Sequence, residues 1–231
     1  MTDTLPGPSA RSPAVPRVLA LAEAVLLDFD GPVCSVFAGH PAPRIARRLL
    51  RLVADAGVRL APGNLDARDP LAVLRAVQDR CPHLVPLVDD ALTDAERVAV
   101  RTARPTPGGQ ELLLACRREG RPVVVVSNNS ADGVLAYLRA HDLDGLVRRV
   151  LGRPVHRPDR MKPHPAMVTT ALDHLGIDPG RAVLVGDSVT DVEVARTCGV
   201  PSIGFANRPA KALALAQAGA DLVIECMTRL V

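Results

Sequence analysis

Aromatic residues are nearly absent from this chain. Its 231 residues include no tryptophan, one tyrosine and three phenylalanines, although 48% of all residues are hydrophobic. The core must therefore be filled by Leu, Val, Ala and Ile. Few aromatic side chains and a formal net charge of only +3 argue against a protein that stacks bases or tracks a phosphate backbone. We expect no nucleic acid among its partners.

Long apolar runs and paired cysteines are also missing. No stretch reaches the roughly 18 uninterrupted apolar residues of a membrane-spanning helix, so we expect no membrane partner. The five cysteines are scattered and form no CxxC pair, which favours reduced thiols in a cytoplasmic protein over disulfide bridges or a zinc site. Residues 1–16, rich in Pro, Ser and Thr, are predicted to be a flexible tail and not a signal peptide.

Lysine is scarce as well. Lys162 and Lys211 are the only two lysines beside a large excess of arginine. A lysine in a loop stiffened by prolines, as in MKPHP at residues 161–165, is therefore more notable here than it would be in most chains.

The stretch AVLLDFDGPV, residues 24–33, is the most informative one. Four apolar residues end in Asp28 and Asp30, and Gly31-Pro32 then breaks the run, which is typical of a buried strand in a parallel sheet. Ligands bind at the carboxyl ends of such strands. The two carboxylates repel each other unless a proton or a cation lies between them, and Mg²⁺ prefers oxygen ligands of this kind. The alternative is an ordinary loop with two solvated acids.

Two further apolar runs end in polar residues. VVVV is followed by Ser127 and Asn128, and AVLVG is followed by Asp187. A hydroxyl and amides between a strand and a helix can cradle an anion, although simple helix caps are about as common at such turns.

The helix after Asp187 carries a further acid near its start. Thr190 with Glu193 predicts a capping box there. Asp191 then falls in the first turn, where a negative charge is favoured by the helix dipole, so a helix-start acid is the alternative to a functional role.

The sequence pattern changes between the apolar run before Asp28 and the apolar run before Ser127. Residues 44–104 show apolar residues at helical spacing and no strand candidate. A first helix is predicted to end at Gly57, a second to cover residues 70–80, and one or two more to cover residues 84–102 with a break near Thr93. A helical block of this size between two α/β segments indicates an inserted domain.

Four segments, in this order, resemble the four motifs of the haloacid dehalogenase-like (HAD) hydrolase superfamily. They are DFDGPV at 28–33, VVVVSNN at 123–129, MKPHP at 161–165 and GDSVTD at 186–191. The resemblance covers residues 24–231 and departs from the usual pattern at Pro32, where Thr or Val is common.

The resemblance implies an α/β fold with a Rossmann-like three-layer α/β/α core and a parallel sheet. It also implies the inserted α-helical cap of the phosphoglycolate phosphatase-like group. We accordingly expect a core domain over residues 17–36 and 104–231 and a helical cap domain over residues 37–103.

The same resemblance implies a role for each motif residue. Asp28 is the nucleophile that forms an aspartyl-phosphate, and Asp30 protonates the leaving group and then activates water. Ser127, Asn128 and Lys162 hold the phosphoryl oxygens, and Lys162 also balances the charge of Asp28.

Mg²⁺ is the implied cofactor. It would be held by Asp28, the backbone carbonyl of Asp30 and the carboxylate of Asp187. Asp191 is either a further ligand or a carboxylate just behind the ligands.

The implied function is a Mg²⁺-dependent phosphatase that acts on a small phosphorylated metabolite. Asp30 supports phosphoryl transfer, because the dehalogenases of the family lack this second acid. His40 and Arg44 are candidate contacts to the rest of the substrate, the alternative being a solvated helix start. A phosphomutase of the same fold and a HAD-like regulatory or binding module with little turnover are the alternative functions. The substrate and the oligomeric state are not predicted.

Overall fold

The computed structural model of the protein describes residues 16–60 and 65–231. Its centre is a six-stranded sheet in which each strand runs parallel to its neighbours. In spatial order the strands are β5 (Arg149–Leu151), β4 (Val123–Val126), β1 (Ala24–Leu27), β6 (Ala182–Gly186), β7 (Ser202–Phe205) and β8 (Leu222–Ile224). The predicted α/β fold with a parallel sheet is confirmed.

The central strand, β1, is buried on both of its faces. Val25 lies opposite Val123 of β4 on one side and Val183 of β6 on the other. The chain builds β4 and β5 on one side of β1 and β6 to β8 on the other, so the strand order reverses at β1. Such a reversal opens a crevice at the carboxyl ends of the central strands. Asp28 and Asp187 follow β1 and β6 at that edge.

Helices cover both faces of the sheet. They are α1 (Arg17–Ala20), α5 (Gly109–Arg118), α6 (Ala131–Ala140), α7 (Ala166–Leu175), α8 (Val189–Cys198) and α9 (Pro209–Ala218). Because side chains alternate along a strand, Val25 and Leu27 share one apolar core with α5 and α6, whereas Leu26 shares another with α7 and α8. Leu215 of α9 lies against Gly204 on this second face. The three predicted layers are therefore present.

Between β1 and β4 the chain leaves the sheet and forms a helical unit, here called the helical insertion. Its helices are α2 (Ala42–Asp55), α3 (Pro70–Arg80) and α4 (Val85–Ala99). They surround an apolar core of their own, in which Leu49, Leu74 and Leu92 are fully buried. Asp69 is the N-cap of α3, and its carboxylate accepts the backbone N–H of Leu71 at 2.9 Å, which explains why that helix begins where it does.

A short ribbon joins the two ends of the helical insertion. Its strands, β2 (Cys34–Ser35) and β3 (Arg104–Pro105), pair antiparallel. No strand is predicted in this region from the sequence, because a two-residue strand is too short to show alternation. The predicted boundaries of the cap domain, at residues 37 and 103, lie beside this ribbon and stay a prediction.

Helix α4 differs from its prediction. It runs without the predicted break near Thr93. The apolar spacing continues through Leu92, Ala95 and Ala99, and the Thr93 hydroxyl accepts a hydrogen bond from Arg153 at 3.1 Å. Because its polar side chain has a partner outside the helix, Thr93 does not interrupt it.

The predicted N-terminal tail, residues 1–16, lies outside the described residues except for Pro16. In the described part of the chain, no helix is both long and apolar enough to cross a membrane.

Two leucines of α4 provide a test of the core of the helical insertion. Leu92 is fully buried, whereas Leu87 is 45% exposed. Leu92→Ala leaves a cavity and should lower the free energy of unfolding by about 2–5 kcal/mol. Leu87→Ala, the matched control, should change it by less than about 1 kcal/mol. Urea unfolding followed by circular dichroism measures both values, and equal losses would contradict this packing.

Candidate active site

Two carboxylates lie at the carboxyl end of β1. Asp28 follows the strand directly, and its backbone N–H donates to the carbonyl of Val185 in β6 at 2.8 Å. The residue is only 7% exposed. Asp30 is less buried, and its Oδ1 accepts the backbone N–H of Val36 at 2.9 Å. Both aspartates line one cavity.

Lys162 reaches these carboxylates from the loop between β5 and α7. The residue is 2% exposed. Its ammonium donates to Asp28 Oδ1 at 2.9 Å and to the Val126 carbonyl at 2.7 Å, and it lies 2.6 Å from Asp191 Oδ1. Burial by itself would lower the pKa of Lys162, but the two carboxylates outweigh it and raise that pKa. Two hydrogen bonds and the ion pair with Asp191 offset the burial of this charge, while Asp191 Oδ1 itself accepts no hydrogen bond among the described residues.

The turn after β4 holds the next predicted residues. The buried Ser127 hydroxyl donates to Asn129 Oδ1 and accepts the Asn129 N–H, both at 3.2 Å. The Asn128 amide bonds instead to the main chain of Lys162: Oδ1 accepts the N–H at 2.8 Å and Nδ2 donates to the carbonyl at 3.2 Å. The side chain of Asn128 therefore fixes the loop that carries Lys162.

Asp187 follows β6 and faces the first turn of α9. Its Oδ2 accepts hydrogen bonds from Asn207 Nδ2, at 2.8 Å, and from the ammonium of Lys211. Gly31, with φ +112°, packs directly against this carboxylate, and a Cβ there would lie 2.4 Å from Asp187 Cγ. The turn after Asp30 can therefore take this path only with glycine.

Asp191 is completely buried in the first turn of α8. Its Oδ2 accepts the N–H of Ser188 at 3.0 Å and the Ser188 hydroxyl at 2.6 Å, while Oδ1 faces Lys162. Ser188 is the N-cap and forms the capping box with Asp191. The predicted box between Thr190 and Glu193 is wrong, because the helix begins two residues earlier and the Thr190 hydroxyl pairs with Ser188 Oγ at 2.9 Å.

Crowding and burial make these carboxylates difficult to ionise together. Burial raises the pKa of Asp28 to about 7; Lys162 opposes this increase, and Asp191 and Asp187 add to it. Burial likewise raises the pKa of Asp30 to about 6, against the lowering effect of the Val36 N–H. The pKa of Asp187 is also raised by burial, although Lys211 acts in the opposite direction. A cation between the carboxylates would favour their charged forms.

The donor set suits a hard divalent cation. Asp28, Asp187 and Asp191 each offer a carboxylate oxygen, and these atoms lie within 4.8 Å of one another. The site contains four acids, Asp30 included, but only two lysines contact them. Full ionisation would thus leave an excess of negative charge, which a Mg²⁺ ion with oxygen ligands can neutralise.

A cavity of about 580 Å³ lies between this sheet edge and the helical insertion. Arg68 and Arg75 line it from the side of the insertion, and Arg75 Nη2 donates to the Lys162 carbonyl at 3.3 Å. His40 and Arg44, the candidates from the sequence, are not among the described residues that line it. The first half of α3, from Pro70 to Arg75, lines the cavity instead.

Two of these contacts were not predicted from the sequence. Lys211 stood out only for the scarcity of lysine, and nothing in the local pattern places the first turn of α9 beside Asp187. Arg75 is one of many arginines and gives no signal of its own. The rarity of lysine was the one signal that pointed at Lys211.

Fold and site together define an α/β enzyme with an acidic, lysine-containing centre at the carboxyl edge of a parallel sheet. The model of a hydrolase family, described as haloacid dehalogenase-like hydrolase, matches residues 22–199. The chain belongs to this family, and the resemblance inferred from its four motifs is confirmed.

Two proteins similar to this chain in sequence are named as phosphatases, and a solved structure shares its fold. A phosphoglycolate phosphatase of Caulobacter vibrioides is 32% identical over 203 residues, which cover 85% of this chain and 79% of the relative. An N-acetylmuramic acid 6-phosphate phosphatase of Pseudomonas aeruginosa is 28% identical and covers 77% and 78% of the two chains. The crystal structure of CbbY from Rhodobacter sphaeroides in complex with phosphate shares the fold, with a TM-score of 0.67, 20% identity and coverage of 90% and 96%. The two relatives that this hydrolase resembles in sequence are thus phosphatases.

Alanine substitutions at Gly31 and Gly57 distinguish the cost of a steric clash from the cost of backbone strain. Both have positive φ, but a Cβ at Gly57 would meet no atom of the described residues within 4 Å, whereas one at Gly31 would strike Asp187. Gly57→Ala should lower the free energy of unfolding by about 1 kcal/mol, and Gly31→Ala by about 2–5 kcal/mol, because the clash adds to the strain. Urea unfolding of both variants measures this difference. A Gly31→Ala variant as stable as Gly57→Ala would show that Asp187 does not pack on this turn.

Proposed function

We propose that the protein is a Mg²⁺-dependent phosphatase that hydrolyses a small phosphorylated metabolite through an aspartyl-phosphate on Asp28. The observation that carries the proposal is the contact of a buried carboxylate, Asp28, with a buried ammonium, Lys162, in a cavity that Asp30 also lines. This arrangement offers a nucleophile, a cation for phosphoryl oxygens and an acid. The similarity to phosphatases supports it.

The first step would form the covalent intermediate. A carboxylate oxygen of Asp28 attacks phosphorus, the bond between phosphorus and the leaving oxygen breaks, and Asp30 gives its proton to that oxygen. Lys162 fixes Asp28 Oδ1 through its hydrogen bond. Burial raises the pKa of Asp30, which favours the protonated form that an acid requires.

The second step would release phosphate. Asp30, now ionised, removes a proton from a water molecule, whose oxygen attacks phosphorus while the bond to Asp28 breaks. Asp28 is thereby regenerated as a carboxylate and Asp30 as a carboxyl group, so the cycle balances.

The turn after β4 would bind the phosphoryl oxygens. The Ser127 hydroxyl makes only long bonds of 3.2 Å to Asn129, so it can exchange them for a phosphate oxygen at low cost. Because the side chain of Asn128 is bonded to Lys162, we assign any contact of Asn128 with phosphate to its backbone. Lys162 would supply the positive charge.

Asp28, Asp187 and the backbone carbonyl of Asp30 would hold Mg²⁺. Asp191 Oδ2 accepts the Ser188 hydroxyl, and Oδ1 pairs with the Lys162 ammonium but accepts no hydrogen bond among the described residues. Asp191 would therefore be either a further ligand through Oδ1 or the carboxylate just behind the ligands. When bound, the ion neutralises phosphate charge and so lowers the repulsion between substrate and nucleophile.

The substrate would be a small molecule enclosed between the sheet edge and the helical insertion. A cavity of about 580 Å³ suits a metabolite. The relatives include phosphatases named for phosphoglycolate and for N-acetylmuramic acid 6-phosphate, so similarity does not select one substrate. We further propose that residues 37–103 act as a cap domain over this cavity and that the protein is cytoplasmic.

Asp28→Asn tests the nucleophile. Phosphate release from a panel of phosphorylated metabolites and an aryl phosphate should require Mg²⁺, stop with chelator, and fall by at least about three orders of magnitude in the variant. Asn keeps the size of Asp28 but is not a nucleophile. Folded wild-type protein that binds Mg²⁺ yet releases no phosphate would contradict a phosphatase. Transfer of phosphate to a second hydroxyl would instead identify a mutase.

Asp30→Asn tests the acid and the base separately. An aryl phosphate has a good leaving group, so its first step needs little help from an acid, whereas an alkyl phosphate needs that proton. The variant should release a burst of about one phenol per enzyme from the aryl ester and then stall, since the base for water is gone. On alkyl esters no burst should appear, and rapid-mixing absorbance and phosphate assays distinguish these results. Equal behaviour towards both ester types would contradict the role of Asp30 as the acid.

A further inference from the structure

A second cluster of buried charges lies behind the turn after β4. Arg153 follows β5, and its five guanidinium N–H donors make five hydrogen bonds to carboxylates, a hydroxyl and a backbone carbonyl. The acceptors are Asp89, Thr93, Glu96 (two bonds) and Asn128, at 2.6 to 3.2 Å. Arg153, Asp89 and Glu96 are 4%, 3% and 0% exposed. None of the three belongs to the four sequence motifs.

Glu96, on α4 of the helical insertion, also bonds directly to the turn that would bind phosphate. Its Oε2 accepts the backbone N–H of Ser130 at 2.8 Å, and its Oε1 accepts Asn129 Nδ2 at 3.2 Å. The Asn129 amide is thereby oriented with its Oδ1 towards Ser127, whose hydroxyl donates to it. A chain of hydrogen bonds therefore runs from Glu96 through Asn129 to Ser127.

We propose that Glu96 is a positioning residue for the phosphate-binding turn, residues 127–130, and this rests on the proposed function. Glu96 lies on the helical insertion, its hydrogen bonds go to Asn129, Ser130 and Arg153, and it reaches Asp30 only through its charge, which is the smallest of the named influences that raise the pKa of Asp30. By accepting from Asn129 and Ser130 it holds the turn in one conformation, and Arg153 balances its charge and holds the Asn128 carbonyl. The insertion thus contributes to phosphate binding through a buried contact behind the site.

Asp89 provides a matched control on the same helix. Like Glu96 it is buried, pairs with Arg153 and accepts one backbone N–H, that of His156 at 2.7 Å. Both of these partners lie outside residues 127–130. Glu96→Gln and Asp89→Asn each remove one charge from the cluster and each replace one acceptor oxygen by an amide nitrogen.

The test measures binding of inorganic phosphate by calorimetry, with Mg²⁺ present, and steady-state kinetics on an aryl phosphate. Glu96→Gln should weaken phosphate binding and lower kcat/KM by about 10-fold or more, whereas Asp89→Asn should stay within about 2-fold of wild type. Thermal unfolding of both variants shows how far each change affects stability. A structural role shared by the cluster would instead lower stability in both variants and phosphate affinity in neither.

Asn129→Ala keeps the proposal testable if Glu96→Gln does not fold. This variant leaves the ion pair of Glu96 with Arg153 in place and removes the two hydrogen bonds of the Asn129 amide, to Glu96 and to Ser127. It should weaken phosphate binding about 3-fold to 10-fold. Phosphate affinity within about 2-fold of wild type in Asn129→Ala, or equal losses in the Glu96 and Asp89 variants, would overturn the role of Glu96. Wild-type protein that neither binds nor releases phosphate would overturn the proposed function itself.

Discussion

The buried ammonium of Lys162 is the interaction on which the arrangement of this site depends. It joins Asp28 after β1, the Val126 carbonyl at the end of β4, and Asp191 on α8. Taking such a charge out of water costs several kcal/mol, which these contacts offset. The close approach of Asp28 and Asp191 therefore depends on the loop that carries Lys162, and Asn128 holds that loop through both polar atoms of its side-chain amide.

Residues that belong to a local sequence pattern could be predicted from the sequence. Residues whose role depends on contacts with distant parts of the chain could not. Apolar runs that end in polar residues indicated β1, β4 and β6, and hence Asp28 and Asp187 at one edge. No local pattern links Asp187 to Lys211, 24 residues on, or Glu96 to Arg153, 57 residues on. Such pairs depend on how helices and loops pack against the sheet.

The start of helix α8 could not be fixed from the local sequence alone. Thr190 with Glu193 and Ser188 with Asp191 have the same spacing of a hydroxyl residue and an acid, so the broader capping pattern fits both. In the structure Ser188 is the N-cap of the helix, and Asp191 also lies 2.6 Å from the Lys162 ammonium. The capping pattern contains no information on this contact with a distant part of the chain.

Polar contacts of unequal strength join helices α3 and α4 of the helical insertion to the sheet edge. On α3, Arg75 makes one partly buried bond of 3.3 Å to the Lys162 carbonyl, which is worth about 1 kcal/mol. On α4, Glu96 and Asp89 share the buried Arg153, and breaking such a cluster costs about 3–5 kcal/mol. The stronger contact, between α4 and Arg153, lies behind the turn at Ser127. The weaker contact is made by α3, the helix that lines the cavity. Movement of α3 would therefore disturb the phosphate-binding turn far less than movement of α4.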